Sequence, residues 1–415
     1  MMLTTTTPKL KVLISGAGIA GPCFAYWLSR TRLNTSIKII ERSPIPRSTG
    51  QAIEIHGAAI EIAKKMKLED AIRARFTTEK GTMMLNSAGK PFATFPAGDT
   101  FTSDYEILRA DLSELFLEAS KTFDGVEYVY GDFVETVRQT ETGVDVTFNG
   151  GSKDTFDLIV GADGSTSKIR SMILDEEVLK NSYKFIGQYI AFFSIPSQPN
   201  DSKFWEIFSA PKGLCMMMRP HRNPSTKGVY LCITMPKHGV EDPVVEQAMK
   251  EGPGATKLML HSYFENCGWE AKQILEGLDK SEDFYMAKAA QIKLPKWTKG
   301  RAAVIGDAAM ATFGVGTTLA IESAYILAGE LSKVQNSNGI QKSLQRYEEI
   351  FRPIYKKMED LPPGFPQIAM PQTRLGMRIR DSIIWFVGKT KAHKLLPNDQ
   401  GGSDHRLPEY DWLDN

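Results

Sequence analysis

The stretch "LKVLISGAGIAGPCFAYWLSR", residues 10–30, decides the fold together with "IKIIER", residues 37–42. Each of the two short apolar runs is rich in β-branched residues, which predicts strands of a parallel sheet covered on both faces. Between them a glycine turn precedes a helical pattern, and Pro22 stands just inside the helix start, where its missing N–H costs nothing. The order is therefore strand, glycine turn, helix, strand.

The glycine turn has the spacing of a dinucleotide-binding turn. Gly16 allows the tight bend, Gly18 lets the backbone approach a pyrophosphate, and Gly21 lets the helix pack closely on the strand, with Ala20 in the same turn. The pyrophosphate would rest on the helix N-terminus, where free N–H groups favour anions. Glu41 follows Gly21 by 20 residues, where a carboxylate accepts hydrogen bonds from an adenosine ribose. A purely structural turn is the alternative.

The bulk composition bounds the class of protein. With 415 residues the chain is longer than one core usually organises, and two domains with a terminal extension are expected. Lys plus Arg (50) nearly balances Asp plus Glu (49), which argues against a nucleic-acid partner. The four cysteines form no CxxC pair and the histidines no ligand spacing, so we expect free thiols and no metal site.

The location of the protein is also an expectation from the sequence. The opening "MMLTTTTPKLK" lacks the apolar run of a secretion signal, and no uncharged stretch is long enough to span a bilayer. We therefore expect a cytoplasmic protein without a transmembrane segment. Its oligomeric state stays open.

The pattern along the chain predicts an α/β fold of two domains. The Rossmann-type nucleotide-binding domain is expected at residues 1–75, 103–182 and 283–335, because "RAAVIGD" returns to the parallel-strand style. Runs such as "QYIAFFSI" and "LCMMMRP" predict a mixed or antiparallel sheet in a substrate domain at 76–102 and 183–282. C-terminal helices are expected at 336–415.

The C-terminal extension contains a basic amphipathic pattern, "RLGMRIRDSIIWFVGKTKAHKLL". We expect this helix to pack across the domain interface with its charges, Arg380 among them, facing solvent. A helix lying on a membrane surface is the alternative.

Two further motifs also suit a dinucleotide cofactor. In "DLIVGADGSTSKIR", Asp163 and Gly164 end a buried strand at a point where a simple NAD dehydrogenase needs no second acidic turn; a helix-capping turn is the alternative. In "EILRADL", Arg109 opens a helix and would pair with a pyrophosphate or reach a flavin face. An ordinary surface arginine is its alternative role.

The stretch "GDAAMATFGVGTTLAIESA", residues 306–324, is the fourth motif. Asp307 ends a strand and would bind a ribityl chain. The backbone amides around Gly314, Gly316 and Thr317 begin a helix and suit a pyrimidine carbonyl or the negative charge that develops on reduction. A glycine-rich turn without a ligand is the alternative.

Together these motifs resemble the class A flavin-dependent monooxygenases of the para-hydroxybenzoate hydroxylase fold. Within that group the chain is most similar to the branch of tetracycline-inactivating and secondary-metabolite monooxygenases, on "GAGIAG" with Glu41-Arg42, "GQAIEIHGAA", "YEILRADL", "VGADGSTSKIR" and "VIGDAA…GVGTTLAIESAYILAGEL". The resemblance implies FAD as the cofactor, with NAD(P)H as co-substrate. It assigns FAD binding to Gly16, Gly18, Ala20, Gly21, Glu41, Arg42, Gln51, Arg109, Asp163, Gly164, Asp307, Gly314, Gly316 and Thr317.

The resemblance also implies a reaction. NAD(P)H and O2 would be used to hydroxylate or epoxidise a small polycyclic, phenolic or polyketide-like metabolite, an aromatic or terpenoid-like substrate of secondary metabolism. The sequence departs from the family after Asp307, where the loop is shorter, lacks the usual proline and carries Met310 in place of histidine or tyrosine. The alternative is therefore a flavin-binding cyclase, isomerase or desaturase that has lost oxygen transfer; a non-catalytic ligand-binding module is a third.

Candidate substrate-pocket residues come from the second domain and the altered loop. Arg219 and Tyr285 offer polar groups at the edge of an apolar sheet, and Phe313 comes from the loop. The other candidates, for each of which core packing is the alternative, are Phe192, Met216, Met218 and Gln291. His56 is expected at the surface or behind the cofactor-binding residues.

Overall fold

The computed structural model describes residues 9–47, 50–98, 105–334, 339–395 and 405–414. The parts of the predicted segments at 1–8, 48–49, 99–104, 335–338, 396–404 and 415 lie outside the described residues. In chain order the strands are β1 (Leu10–Ser15), β2 (Thr35–Glu41), β3 (Ala52–Glu54), β4 (Gly81–Leu85), β5 (Pro91–Pro96), β6 (Glu106–Leu108), β7 (Val126–Tyr130), β8 (Val134–Gln139), β9 (Val144–Phe148), β10 (Lys153–Phe156), β11 (Leu158–Gly161), β12 (Tyr183–Pro196), β13 (Trp205–Ala210), β14 (Leu214–Pro220), β15 (Thr226–Thr234), β16 (Tyr285–Ile292), β17 (Thr298–Lys299) and β18 (Ala302–Val304).

Helices cover both sheets and extend the C-terminal part. They are α1 (Ala20–Ser29), α2 (Ala58–Lys65), α3 (Glu69–Ala74), α4 (Arg109–Lys121), α5 (Lys168–Ile173), α6 (Glu176–Lys180), α7 (Pro243–Glu251), α8 (Pro253–Phe264), α9 (Ala271–Lys280), α10 (Asp307–Met310), α11 (Gly316–Leu331), α12 (Ile340–Met358) and α13 (Arg374–Thr390), with a short 3-10 helix at Ala392–Leu395.

The first sheet is the parallel sheet that the sequence predicted. Its strand order is β17-β18-β11-β1-β2-β7, and every pair except β17–β18 is parallel. The residues Val12, Leu13 and Ile14 of β1 are inaccessible to solvent, as expected for a central strand covered on both faces. Helix α1 packs against α11 and α4, so its sequence is apolar almost all round.

The second sheet is mixed, which confirms the predicted fold class. Its order is β16-β12-β15-β14-β13-β4-β5, antiparallel throughout except for β13–β4. Helices α7, α8 and α9 cover one face, where Val245, Leu260 and Ile274 join the core formed with Met216 and Phe193. The opposite face is turned toward the first domain and lines a large cavity.

The pairing of β16 corrects one predicted boundary. The division at residue 283 placed this strand in the nucleotide-binding domain, but it forms a long antiparallel ladder with β12 of the second sheet. Its small residues carry too little pattern to reveal sheet membership, because a ladder depends on a partner distant in sequence. The chain returns to the first sheet only at β17.

The C-terminal extension is only partly helical. After α12 and α13, residues 405–414 lie without helix or strand against the first domain, where the Leu413 carbonyl accepts hydrogen bonds from the Arg30 guanidinium. The predicted amphipathic helix is confirmed as α13, but Arg380 is buried rather than solvent-facing. It donates to Ser209 Oγ and to the Ala369 carbonyl, and these bonds offset its burial.

Candidate functional site

The glycine turn lies between β1 and α1 and forms an open concave surface. Gly16 has a φ of +113°, and a side chain there would lie 2.4 Å from the Ala162 carbonyl oxygen. A side chain at Gly21 would lie 2.1 Å from the Gly16 oxygen, so α1 packs as closely as the glycine predicts. Around Gly18, by contrast, nothing lies within 4 Å of the missing side chain. The turn therefore leaves room for a ligand above Gly18.

Glu41 ends β2 beside this turn. One carboxylate oxygen accepts the Ala17 N–H at 3.0 Å, and the other accepts the Ser43 N–H at 3.0 Å. Each carboxylate oxygen can accept further bonds, so Glu41 braces the turn and still faces the cavity. Its neighbour Arg42 and the turn residue Ala20 line the same cavity, whereas Gly21 is buried behind it.

Asp163 follows β11, the strand next to β1. Its carboxylate accepts the N–H groups of Lys168 at 2.8 Å and Ile169 at 3.1 Å, together with the Ser167 hydroxyl. Asp163 therefore caps the start of α5, the alternative role that the sequence left open. Burial raises the pKa of Asp163 above its usual range despite these hydrogen bonds. Gly164, at a φ of +82°, lines the cavity together with Asp163.

Asp307 and the N-terminus of α11 form a further side of the same cavity. Gly306, at a φ of +55°, turns the chain out of β18, and Asp307 then faces the cavity. The Asp307 carboxylate lies 3.8 Å from the Arg109 guanidinium. A side chain at Gly316 would lie 3.2 Å from Asp307 Oδ1, so glycine keeps the start of α11 clear. Gly314, Gly316 and Thr317 all line the cavity at this end.

Three arginines add positive charge to the cavity. Arg42, Arg47 and Arg109 all line it, and Arg47 and Arg109 lie near Tyr285. Burial and then the nearby Arg109 lower the pKa of Arg47. The Gln51 carbonyl accepts the Arg109 backbone N–H at 3.0 Å, which fixes the "GQAIE" segment beside this cluster.

The second sheet lines the cavity with side chains of one face, among them a row that crosses six strands. Residues directly opposite one another on successive strands share a face, and here that face lines the cavity. This aromatic row runs through Tyr285, Phe192, Tyr230, Met217, Ile207 and Met84, each paired in register with the next. The Phe192 ring stacks on Tyr285 at a centroid distance of 5.0 Å and meets Tyr230 edge-on at 4.9 Å.

The row separates the predicted pocket residues into two groups. Phe192 and Tyr285 line the cavity, and Phe313 does so from the loop, with its ring 4.9 Å from Phe365. Met216 and Met218 point to the opposite face and belong to the core under α7–α9, because side chains alternate along a strand. Met217, which the sequence analysis passed over, lies on the cavity side. Gln291 is not in the cavity lining; it donates to Thr312, which is, and to the Glu359 carbonyl.

Arg219 lines the cavity with its charge already balanced. Its guanidinium donates to both oxygens of Glu79, at 2.7 and 2.8 Å, and to one oxygen of Glu106. Its side chain is 6% exposed and lies over the Trp205 ring at 4.1 Å. Burial raises the pKa of Glu79, even though Arg219 opposes that shift. Arg219 is therefore a structural cation of the cavity wall rather than a free polar group.

Two carboxylates that the sequence analysis missed complete this wall. Glu54 and Glu106 are register partners on β3 and β6, and both line the cavity. One oxygen of each, Glu54 Oε1 and Glu106 Oε2, is buried without a hydrogen-bond partner. His56 lies behind them, with Nε2 3.1 Å from Glu54, as expected for a residue outside the cavity lining. Both of these oxygens are inaccessible to solvent, so they are acceptors inside the cavity wall.

All of these groups surround one cavity of about 2130 Å³. Sites for single small ligands usually enclose roughly 300–1000 Å³, so this cavity has room for more than one ligand. The open glycine turn, the N-terminus of α1, the arginines and the α11 start fit the phosphates and ring of FAD in chemistry and in order along the cavity. The aromatic row then bounds a second compartment.

Within the described residues, no group of three or more His, Cys, Asp or Glu side chains is arranged to hold a metal ion. The described helices include none long and apolar enough to cross a membrane.

The sequence matches, over residues 9–361, the family described as FAD binding domain. The FAD-dependent monooxygenase asL4 of Sarocladium schorii is 34% identical over 411 residues, covering 92% of this chain and 93% of that protein. The flavin-dependent monooxygenase eupH of a Phoma species is 32% identical over 428 residues, covering 97% of both proteins.

A solved structure shares the whole architecture. The tetracycline destructase Tet(51) superposes with a TM-score of 0.76 at 29% identity, covering 97% of this chain and 99% of that one. The shared fold thus extends over nearly the whole length of both chains. The chain therefore belongs to the FAD binding domain family and, within it, to the FAD-dependent class A monooxygenases that its motifs predicted.

Proposed function

We propose that this monooxygenase uses NAD(P)H and O2 to hydroxylate or epoxidise a small polycyclic, phenolic or polyketide-like metabolite of secondary metabolism. The observation that carries the proposal is the single cavity, which joins the glycine turn to the aromatic row without a break. A substrate on that row would lie beside the ring end of the cofactor.

The cofactor-binding residues would hold FAD along the first domain. Glu41 would accept the adenosine ribose hydroxyls, Arg109 and the α1 N-terminus would face the pyrophosphate, and Asp307 would bind the ribityl chain. The amides at the start of α11 would face the pyrimidine edge of the ring. Bound FAD supplies hydride acceptance and activation of dioxygen, so the protein's own part is placement.

The aromatic row determines which substrates fit. Phe192, Tyr230 and Met217 offer an apolar surface that contains two aromatic rings, and the rings of a ligand stack on such rings or meet them edge-on. A planar polycyclic molecule would cover the row and displace water from it. Exclusion of water protects a reactive intermediate from hydrolysis.

Glu54 and Glu106 give the same site polar selectivity. Both residues line the cavity and carry carboxylates, which accept hydrogen bonds, so the substrate would present hydroxyl or amine donors there. A phenolic or enolic hydroxyl that donates to Glu106 gains electron density on its ring carbons. Such carbons react more readily with an electrophilic oxygen. Tet(51) is named as a tetracycline destructase, and a polycyclic substrate is proposed for this chain as well.

The four cysteines suit a reducing, cytoplasmic setting. Cys23, Cys215, Cys232 and Cys267 are all thiols in the structure. Burial raises the pKa of each, so none is poised as a thiolate nucleophile. Cytoplasmic NAD(P)H would be the electron donor.

The visible absorption spectrum of the purified protein tests the proposal. Under anaerobic conditions, addition of NADPH or NADH with a phenolic polycyclic substrate should bleach the flavin bands. Readmission of air should restore them and give a product that contains one additional oxygen atom. Bands that bleach and recover without any oxygenated product would favour the cyclase, isomerase or desaturase alternative. Bands that never bleach would contradict the use of NAD(P)H.

A further inference from the structure

Helix α13 presents two very different faces. Its inner face packs on the second sheet, where a side chain at Gly388 would lie 3.4 Å from Ala93 Cβ. Ile384 and Val387 pack on the same apolar cluster, and Arg380 is anchored to Ser209. The helix is therefore held in a fixed orientation, and its outer face is a defined surface.

The outer face is strongly apolar. Of the thirteen large apolar side chains that are exposed in the described part of the chain, five lie on this one helix. They are Leu375 (67% exposed), Ile379 (55%), Ile383 (59%), Trp385 (51%) and Phe386 (58%). Leu375, Ile379, Ile383 and Phe386 follow one another at intervals of four, four and three residues, so they form one apolar stripe along the helix. Trp385 lies beside this stripe. Such a concentration in a folded protein marks a contact surface.

The charges beside this stripe are all positive. Arg374, Arg378 and Lys389 are exposed on α13, and Lys391 is exposed just beyond it. The only carboxylate of the helix, Asp381, is engaged by Arg380 at 2.5 Å. An apolar stripe with Trp385 and several unopposed cations beside it is the pattern of a helix that lies in the interface of an anionic lipid bilayer.

The stripe also reaches the cavity. Ile379 and Ile383 of the outer face also line the cavity, and so does Ile368, which precedes the helix and is 66% exposed. Because these three side chains are both exposed and in the cavity lining, they mark the mouth of the cavity. A protein partner seated on the stripe would cover this mouth. A bilayer would instead place the mouth beside a phase in which apolar, polycyclic molecules dissolve.

We propose that the outer face of α13 docks on the surface of an anionic membrane. The helix, with 17 residues, would lie in the plane of the headgroups, with its apolar stripe toward the acyl chains and its arginines and lysines among the phosphates. The catalytic domains stay in water. This docking is independent of the reaction proposed above, because it requires only the folded protein.

Co-sedimentation with vesicles tests the proposal on the full-length, FAD-loaded protein. We expect the protein to pellet with vesicles of phosphatidylcholine plus phosphatidylserine, to stay in solution with phosphatidylcholine alone, and to be released by salt. The double variant Trp385→Ser/Phe386→Ser, which leaves the cavity lining intact, should lower the partition coefficient about tenfold or more. Lys389→Glu/Lys391→Glu should lower it as well.

Matched controls separate docking from general stickiness. Val244 (58% exposed) and Leu258 (74%) are equally exposed apolar residues on α7 and α8, so Val244→Ser/Leu258→Ser should sediment like the parent protein. The flavin spectrum of each variant reports that it is folded. The proposal is overturned if the parent stays in solution with anionic vesicles, or if Val244→Ser/Leu258→Ser loses binding as much as Trp385→Ser/Phe386→Ser. It is also overturned if size-exclusion chromatography shows that Trp385 and Phe386 instead join two copies of the chain.

Discussion

Tyr285 and Gln51 form a direct hydrogen bond between the two domains, in which the Tyr285 hydroxyl donates to Gln51 Oε1. The bond lies at the point where the aromatic row meets the segment that the Arg109 backbone fixes. Tyr285, which belongs to the second-sheet side of the cavity (the substrate wall), therefore also holds Gln51, which belongs to the side predicted to bind FAD (the cofactor wall). Burial raises the pKa of Tyr285, so its hydroxyl remains a donor across the physiological range.

We expect Tyr285→Phe to weaken FAD binding while leaving the aromatic row intact. The phenyl ring keeps the stack on Phe192, but Gln51 loses its donor, and a hydrogen bond of this kind contributes about 1 kcal/mol. The dissociation constant of FAD, measured by quenching of flavin fluorescence, should rise about fivefold. Tyr285→Leu should in addition raise the KM for an aromatic substrate, because it removes the stacked ring. Equal KM increases in both variants would contradict this division of roles.

The glycine turn yields a prediction that separates ligand binding from folding. Gly18→Ala adds a methyl group to open space, so we expect the free energy of unfolding of the FAD-free protein to change by less than about 1 kcal/mol. The same methyl group would occupy the position where the pyrophosphate approaches the backbone. We expect the FAD dissociation constant to rise about tenfold or more.

Gly21→Ala is the matched control in the same turn. Its methyl group would lie 2.1 Å from the Gly16 oxygen and would push α1 off the strand. Overpacking of this kind costs about 1–3 kcal/mol, so urea denaturation of the FAD-free variant should reveal the loss. If Gly18→Ala destabilised the FAD-free protein as much as Gly21→Ala, the space above Gly18 would be no ligand site.

The sequence predicted the first domain well because its motifs are local. The turn from Gly16 to Gly21 and the carboxylate of Glu41 are specified by spacing within one strand–helix–strand unit, and the structure places them together. Asp163 shows the limit of that reasoning. Its carboxylate caps α5 while the residue also lines the cavity, so the two alternatives do not exclude each other and its contact with FAD stays a prediction.

The substrate wall was harder to predict because it depends on long-range pairing. Arg219 lies 140 residues from Glu79 and 113 from Glu106, so its isolated position in the sequence suggested a free cation. Likewise, the choice between Met216 and Met217 depends on which face of the second sheet the helices α7–α9 cover. Neither fact is encoded near the residue that it concerns.

The buried Arg219 cluster should be essential for folding. Arg219→Met leaves Glu79 and Glu106 buried without their cation, which costs about 3–5 kcal/mol of unfolding free energy. Arg346→Met removes an exposed ion pair with Glu349, whose side chains are 60% and 50% exposed, and should cost less than about 0.5 kcal/mol. Urea denaturation of both variants at pH 7 measures the contrast, and equal losses would refute it.

The Arg219→Met variant should also recover stability as the pH is lowered. Burial raises the pKa of Glu79 above its ordinary value of 4.5 and Arg219 opposes this shift, so Arg219→Met should raise the pKa of Glu79 in the folded variant above that in the parent. Between the unfolded and the folded pKa of Glu79, the folded protein holds a proton that the unfolded chain has released, so lowering the pH favours the folded state, and more so in the variant. The difference in unfolding free energy between parent and variant should therefore shrink from pH 7 toward pH 5. A difference that is constant over this range would show that no buried carboxylate is left unpaired.

Met216 and Met217 are neighbours on β14 with opposite roles. Met216 is 1% exposed and lies in the core under α7–α9, so Met216→Ala should lower the unfolding free energy by about 2–5 kcal/mol without changing substrate affinity. Met217 belongs to the aromatic row, so Met217→Ala should enlarge the cavity and change KM severalfold. Because the Met217 side chain borders the cavity, Met217→Ala should lower the unfolding free energy by less than Met216→Ala does. Urea denaturation together with steady-state kinetics distinguishes the pair, and a KM change in Met216→Ala alone would reverse the assignment of the two faces.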